Sequence, residues 1–266
     1  MLDEFHRNIN YLRISVTDRC NLRCVYCIPA EGVRLMKHTD ILSLEEIAEI
    51  VKVGVRWGID KVRITGGEPL VRRNVVELVR MISSIEEIKD ISMTTNGILL
   101  SQFAPTLKEA GLQRVNISLD TLNPETFRTI TRGGNIDEVF KGIRAARESE
   151  LFPIKVNCVI KNSSNEPDAV AVAEFCEKEK LQVRFIHEMD LHGGFFSTVE
   201  GGEGGHCSTC NRLRLTANGY IKPCLFNDLE YNTREIGIDE AFRLAFQNKP
   251  ECGSINLNNE FNNIGG

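Results

Sequence analysis

The chain has 266 residues, 42% hydrophobic and 26% charged, which is the profile of a soluble globular protein with room for a full core and a small second module. A net charge of -5 gives no global pull toward nucleic acid, although 32 Lys and Arg leave scope for a local basic pocket. No apolar run approaches the roughly 18 residues that cross a bilayer, and the opening MLDEFHRNIN has acidic residues and no apolar core, so a cytoplasmic location is expected.

In chain order, short β-branched runs predict buried strands at 11–16, 61–65, 90–95, 114–119, 154–160 and 182–187. Helical spacing predicts helices at 43–57, 74–82, 102–110, 136–149 and 166–179, the first opened by a capping box of Ser43 and Glu46. Six strand–helix alternations call for a parallel sheet with helices on its outer face, either an open doubly wound sheet or an incomplete barrel. A cysteine loop follows the first strand and Gly66-Gly67-Glu68-Pro69 the second. Thr94-Thr95-Asn96-Gly97 ends the third and Ser118-Leu119-Asp120 the fourth, the placement of a barrel's active mouth. Beyond Met189 the periodicity changes. Residues 191–205 hold six glycines and read as a mobile linker or a loop, followed by a short cysteine module, one helical stretch at 238–246 and an asparagine-rich tail.

Nine cysteines without an export signal argue against a disulfide scaffold, and six of them fall into two tight groups. Cys20, Cys24 and Cys27 have the spacing CxxxCxxC. Three thiolates in one loop can bind three irons of a cubane and leave the fourth open for catalysis. A zinc site would need a fourth ligand, and the nearest, His38, lies beyond a proline. Cys207, Cys210 and Cys224 make CxxCx13C, which fits either a zinc knuckle with His206 or Cys252 or a second iron–sulfur cluster. Between those cysteines Arg212 and Arg214 alternate with Leu213 and Leu215. A strand there turns both guanidinium groups to one face, a fit for phosphate oxygens. Arg13, Arg63, Lys155 and Arg184 also sit on predicted strands, where a long charged side chain needs a ligand or an ion pair, for example with Glu68 or Asp120.

Segment 11–29, YLRISVTDRCNLRCVYCIP, resembles the opening of the radical S-adenosylmethionine superfamily and, more narrowly, the MoaA-like GTP 3',8-cyclases of molybdenum cofactor biosynthesis. The resemblance continues through VRITGGEPLVRR (62–73), TTNG (94–97), NISLD (116–120), VRFI (183–186), CSTCNRLRLTANGYIKPCLF (207–226) and the Gly265-Gly266 terminus, covering almost the whole chain. It implies an α/β fold, a partial (β/α)6 TIM-like barrel over 1–190, a glycine-rich linker over 191–205 and a small C-terminal auxiliary iron–sulfur module over 206–266. It implies a 4Fe–4S cluster on Cys20, Cys24 and Cys27 whose open iron chelates S-adenosylmethionine and whose electron releases a 5'-deoxyadenosyl radical. Gly66, Gly67 and Glu68 would line the methionine amino group, Thr95 and Ser118 would help hold the molecule, and Tyr26 would shield the cluster and touch the adenine. A second 4Fe–4S cluster on Cys207, Cys210 and Cys224 would take the guanine of GTP at its free iron. Arg13, Arg63, Lys155, Arg184, Arg212 and Arg214 become the substrate clamp, with Arg212 and Arg214 joining the first three cysteines as catalytic residues. An external electron donor and a homodimer are the implied protein partners, without nucleic acid or membrane.

Three departures stand against that pattern. Only residues 188–206 separate the sixth strand from CxxC, where the cyclases have several dozen residues of helix and strand. Cys252 adds a cysteine, and His187-Glu188-Met189-Asp190 replaces an acidic residue followed by methionine and proline. If Cys252 ligates the second cluster, no iron is left for guanine. A radical enzyme with an auxiliary cluster and another substrate, such as a peptide, is then the competing expectation. A non-catalytic zinc or iron protein has no use for an open three-cysteine site beside GGEP.

Overall fold

A computed structural model describes residues 1–258 and 261–264. Six strands, β1 (Tyr11–Ser15), β2 (Lys61–Thr65), β3 (Asp90–Thr95), β4 (Arg114–Ser118), β5 (Lys155–Ile160) and β6 (Gln182–His187), alternate with α1 (Leu44–Arg56), α2 (Val75–Ser83), α3 (Leu100–Glu109), α4 (Pro124–Thr131), α5 (Ile136–Glu148) and α6 (Pro167–Lys178). Every predicted strand is present to within one residue at either end. Helix α4 is absent from the sequence expectation because PETFRTIT mixes β-branched and polar residues and hides its period. Its start was nonetheless marked: Asn123 caps it and Pro124 takes the first position. The capping box of α1 is present, with Glu46 N–H donating to Ser43 Oγ at 3.1 Å and Ser43 N–H to the Glu46 carboxylate at 2.7 Å.

Strands β1 to β6 lie side by side in chain order and all parallel, each crossover made through helices. On β1 and β2, Leu12, Ile14, Val62 and Ile64 are fully buried in the core, as are Ile47, Ile50 and Val51 of α1. Strand alternation therefore sends Tyr11, Arg13, Lys61 and Arg63 to the opposite face, the lumen of the barrel.

Where the sequence suggests a separate C-terminal module, β7 (Arg212–Leu215) lies parallel to β1, and β8 (Tyr220–Lys222) and β9 (Tyr231–Asn232) follow antiparallel. Among the described residues the sheet thus has nine strands, and β7 to β9 extend it on the far side of β1. The glycine-rich stretch folds back on β6, pairing Glu200 with Phe185, while Asp190 pairs with Phe195. Helices α7 (Thr233–Ile236), α8 (Ile238–Gln247) and α9 (Phe261–Ile264) complete the chain; α8 packs on α1 and α9 on β1. Among the described residues no helix is long and apolar enough to cross a membrane.

Candidate active site

Strand register decides which charges meet. Arg13 pairs with Arg63 on one side and with Arg214 on the other, placing three arginines abreast across β2, β1 and β7. Two residues earlier Tyr11 lies between Lys61 and Arg212, and on the opposite wall Asn157 neighbours Arg184. A lumen cavity of about 340 Å³ is lined by Tyr11, Arg13, Lys61, Arg63, Arg114, Lys155, Arg184 and Arg212, with Asp90 and Glu203 as its acids. Asp90 is already engaged by a two-pronged contact from Arg114, at 3.0 and 2.5 Å. Burial, with the neighbouring cations Arg13, Arg114 and Arg184, presses the Arg63 guanidinium down to about 9 against the opposing pull of Tyr11. Burial and then Arg13 and Arg212 do the same to Arg214, also to about 9. Among the described residues, five buried polar atoms on this wall have no protein partner: Tyr11 Oη, Arg13 Nε, Thr94 Oγ1, Asn157 Oδ1 and Arg212 Nε. Crowded like charges and orphaned polar atoms are costly alone and suit a polar, polyanionic occupant.

At the carboxyl ends of the strands a second cavity, about 200 Å³, gathers Cys20, Cys24, Cys27, Tyr26, Gly66, Gly67, Thr95 and Ser118. Of the residues expected around S-adenosylmethionine only Glu68 does not line it. Its fully buried carboxylate accepts from Leu70 N–H at 3.0 Å, Thr95 Oγ1–H at 2.8 Å and Asn96 N–H at 2.7 Å, so it braces the wall from behind. Burial raises that carboxyl to about 7. The two glycines are required by close approach: a Cβ on Gly66 would lie 2.6 Å from Thr17 O and one on Gly67 2.5 Å from Arg19 O. The GGEP turn is laced to the cysteine loop by Gly67 N–H to Thr17 O and Glu68 N–H to Arg19 O, both 2.8 Å. Within the loop, Cys27 and Ile28 N–H donate to Cys24 O, and Arg132 donates to Arg23 O and Ile28 O. Tyr26 donates to Asp120 at 2.7 Å, which fixes its ring in the wall. Burial, then Asp120 and Cys20, push the Cys24 thiol up to about 12.

A third cavity of about 150 Å³ is lined by Cys207, Cys210 and Cys224 with Arg13, Arg212 and Arg214. Lys249, only 2% exposed, donates to Pro223 O at 2.7 Å and Arg212 O at 2.8 Å and stands 3.6 Å from Cys210 Sγ. Burial alone would raise the Cys210 thiol, but Lys249 and Arg212 outweigh it and leave the thiol below its ordinary range. Ile186 lines all three cavities; Arg13 and Arg212 join the third to the lumen, and Thr94 and Asn157 join the lumen to the second. The two cysteine groups therefore face one another across a cationic lumen.

Among the described residues no three His, Cys, Asp or Glu side chains converge on one point as a single metal ion requires. A cubane cluster takes each thiolate on a separate iron, so its ligands ring a volume instead. Three partly buried thiols at the rim of a cavity, in each group, fit that donor chemistry.

The Radical SAM superfamily model matches residues 14–176, and the GTP 3',8-cyclase of Petrotoga mobilis is 41% identical over 98% of this chain and 97% of its own length. The chain belongs to the radical SAM superfamily, and within it to the GTP 3',8-cyclase family. The GTP 3',8-cyclase of Moorella thermoacetica is 45% identical over 88% of this chain and 86% of its own. Solved structures share the fold at lower identity. Streptococcus suis SuiB bound to S-adenosylmethionine is 17% identical with a TM-score of 0.66, over 91% of this chain and 66% of SuiB. Methylornithine synthase (PylB) is 18% identical with a TM-score of 0.57, over 98% of this chain and 75% of its own.

Sequence patterning alone left Tyr11, Lys61, Arg114 and Asn157 out of this radical SAM lumen. Alternation held the signal for two of them, since Tyr11 shares a face with Arg13 and Lys61 with Arg63. Lys249 carried none, because it acts on residues distant in the chain. His187, Glu188 and Met189 of the departing segment line the second cavity, with Cys20, Cys24 and Cys27, together with Phe261 and Asn262 of α9. The Gly265-Gly266 terminus lies outside the described residues.

Proposed function

We propose that this protein converts GTP to (8S)-3',8-cyclo-7,8-dihydroguanosine 5'-triphosphate, the first step of molybdenum cofactor biosynthesis. The observation that carries the reading is the cationic lumen, with its orphaned polar atoms, set between two cysteine groups. Relatives named GTP 3',8-cyclase at 41% and 45% identity support the same substrate.

In this reading Cys20, Cys24 and Cys27 hold one 4Fe–4S cluster, Cys207, Cys210 and Cys224 hold a second as a C-terminal auxiliary module, and Gly66, Gly67, Tyr26, Thr95 and Ser118 cradle S-adenosylmethionine. The chemistry these groups supply when bound is one-electron cleavage of a sulfur–carbon bond, followed by removal of a hydrogen atom from substrate. The chain's own residues bind and orient. Arg13 and Arg63 present guanidinium forks to the phosphate oxygens, Arg212, Lys155 and Arg184 close the walls around them, and Arg214 faces the nucleotide from the adjoining cavity. Holding the nucleotide between the two cysteine groups sets the ribose toward one and the base toward the other. The enclosed lumen keeps water from the reacting carbon. A cytoplasmic location and an external one-electron donor belong to this reading.

Anaerobic protein loaded with iron and sulfide should hold about eight irons per chain and, given S-adenosylmethionine, reductant and GTP, form the cyclised product detected by mass spectrometry. Arg214→Ala or Arg212→Ala should weaken GTP binding by about 2–5 kcal/mol, because each removes one partner of a buried charged contact. Fully loaded protein that cleaves S-adenosylmethionine but neither binds GTP nor changes its deoxyadenosine output with GTP overturns the reading.

A further inference from the structure

One segment of the chain, residues 249–254, touches every cysteine of the C-terminal group in turn. Lys249 stands at Cys210, Cys252 places its thiol 3.1 Å from that of Cys207, and Gly253 packs so closely that an added Cβ would lie 3.3 Å from Cys224 Sγ. The approach is built from a distance. Arg7, 5% exposed and paired with buried Asp3 at 2.7 Å, donates to Cys207 O at 3.0 Å, Glu251 O at 2.9 Å and Pro250 O at 2.8 Å. One guanidinium thus fixes the backbone of Cys207 and the backbone just ahead of Cys252 together. On the other side Ser254 N–H donates to Phe226 O at 2.7 Å, which seats the segment past Cys252. Between these anchors Cys252 is the side chain with ligating chemistry, and it is exposed while the other three cysteines are partly buried.

We propose that Cys252 is a fourth thiolate ligand of the C-terminal cysteine site. The inference rests on the reading that Cys207, Cys210 and Cys224 hold a cluster. Three thiolates leave one iron open, whereas four close it. With Cys252 bound, a substrate base would gain that iron only by displacing the thiolate, which would leave to the exposed rim and take its proton from solvent. The site is self-capped when empty, and the nucleotide is selected in competition with the chain's own thiol.

Anaerobic iron-loaded enzyme is treated with iodoacetamide and the alkylated cysteines are read by peptide mass. Cys252 should react about tenfold or more slowly than in the same protein stripped of iron by a chelator under reducing conditions, because a metal-bound thiolate is a poor nucleophile. Addition of GTP should restore the reactivity of Cys252 while Cys207, Cys210 and Cys224 stay protected. Equal reactivity of Cys252 with and without iron overturns the proposal, as does a Cys207–Cys252 disulfide in the iron-loaded protein. Protection that GTP does not relieve supports the ligand and counts against the GTP reading. As a second readout, Cys252→Ala should keep its iron but change the electron paramagnetic resonance spectrum of the reduced C-terminal cluster. Steric shielding alone would leave that spectrum unchanged, and an unchanged spectrum overturns the proposal.

Discussion

The two cysteine groups sit in opposite electrostatic settings. Around Cys20 and Cys24 the neighbouring ionisable groups are acids and thiols: burial is the main force raising both thiols, reinforced by Glu68 at Cys20 and by Asp120 at Cys24. Around the C-terminal group they are largely cations. Burial still raises Cys224, but Lys249 and Arg214 oppose it, and at Cys210 the cations prevail. A thiol must lose its proton to bind iron. Cys210 is prepared for this by its cations, whereas burial holds Cys20, Cys24 and Cys224 above the ordinary thiol range. The first site spends its polar contacts on backbone shape, and the second spends them on charge.

The widest separation between the two should come from cysteine replacement. Cys24→Ala should abolish reductive cleavage of S-adenosylmethionine, measured as deoxyadenosine, since a two-cysteine loop does not hold the cubane. Cys224→Ala should lower iron similarly yet leave deoxyadenosine formation measurable; equal loss in both variants would erase the division of labour. Lys249→Met tests the charge argument. It strands the carbonyls of Arg212 and Pro223 and should cost about 3 kcal/mol in chemical denaturation, with iron lost from the C-terminal group alone.

Glu68 tests the shape argument through pH. Its buried carboxyl is neutral in folded and unfolded chains below the ordinary value of 4.5 and charged in both above about 7. Burial penalises the charge, so this group makes stability fall as pH rises from 4.5 to 7, by up to about 3 kcal/mol. Glu68→Gln should flatten that slope in urea denaturation, because an amide has no proton to lose across that range. The smallest effect is expected for Tyr26→Phe, about 1 kcal/mol from the lost bond to Asp120, with S-adenosylmethionine affinity as a separate readout of ring position.

The strands and outer helices were legible because their patterns are local. Runs such as KVRIT and DISMTT declare a buried strand, and IAEIV repeats at helical spacing. The cysteine spacings and GGEP were equally local: Cys20, Cys24 and Cys27 meet Gly66 and Gly67 around one cavity, which Glu68 does not line, and Cys207, Cys210 and Cys224 meet around another. That exception is instructive: no pattern tells a carboxylate that lines a wall from one that braces it, because the difference lies in the three donors that capture it. The lumen was half legible. Arginines on strands were conspicuous, but the row formed by Arg63, Arg13 and Arg214 depends on the register between β1 and β7, and nothing in either strand announces that pairing. Lys249 and Arg7 were beyond reach for the same reason, each working on a partner brought near only by the finished sheet.

The position of β1 has a consequence for the order in which the chain is made. Asn10, just ahead of that strand, bonds to Asp60 fifty residues on and to Asn211 at a separation of 201. On the ribosome the first cysteine loop can pack against the GGEP turn well before β7 and the 249–254 segment have been made. The lumen stays open along one flank for most of translation. The first cysteine loop and its GGEP brace can therefore be in place while the second cysteine group has yet to be made.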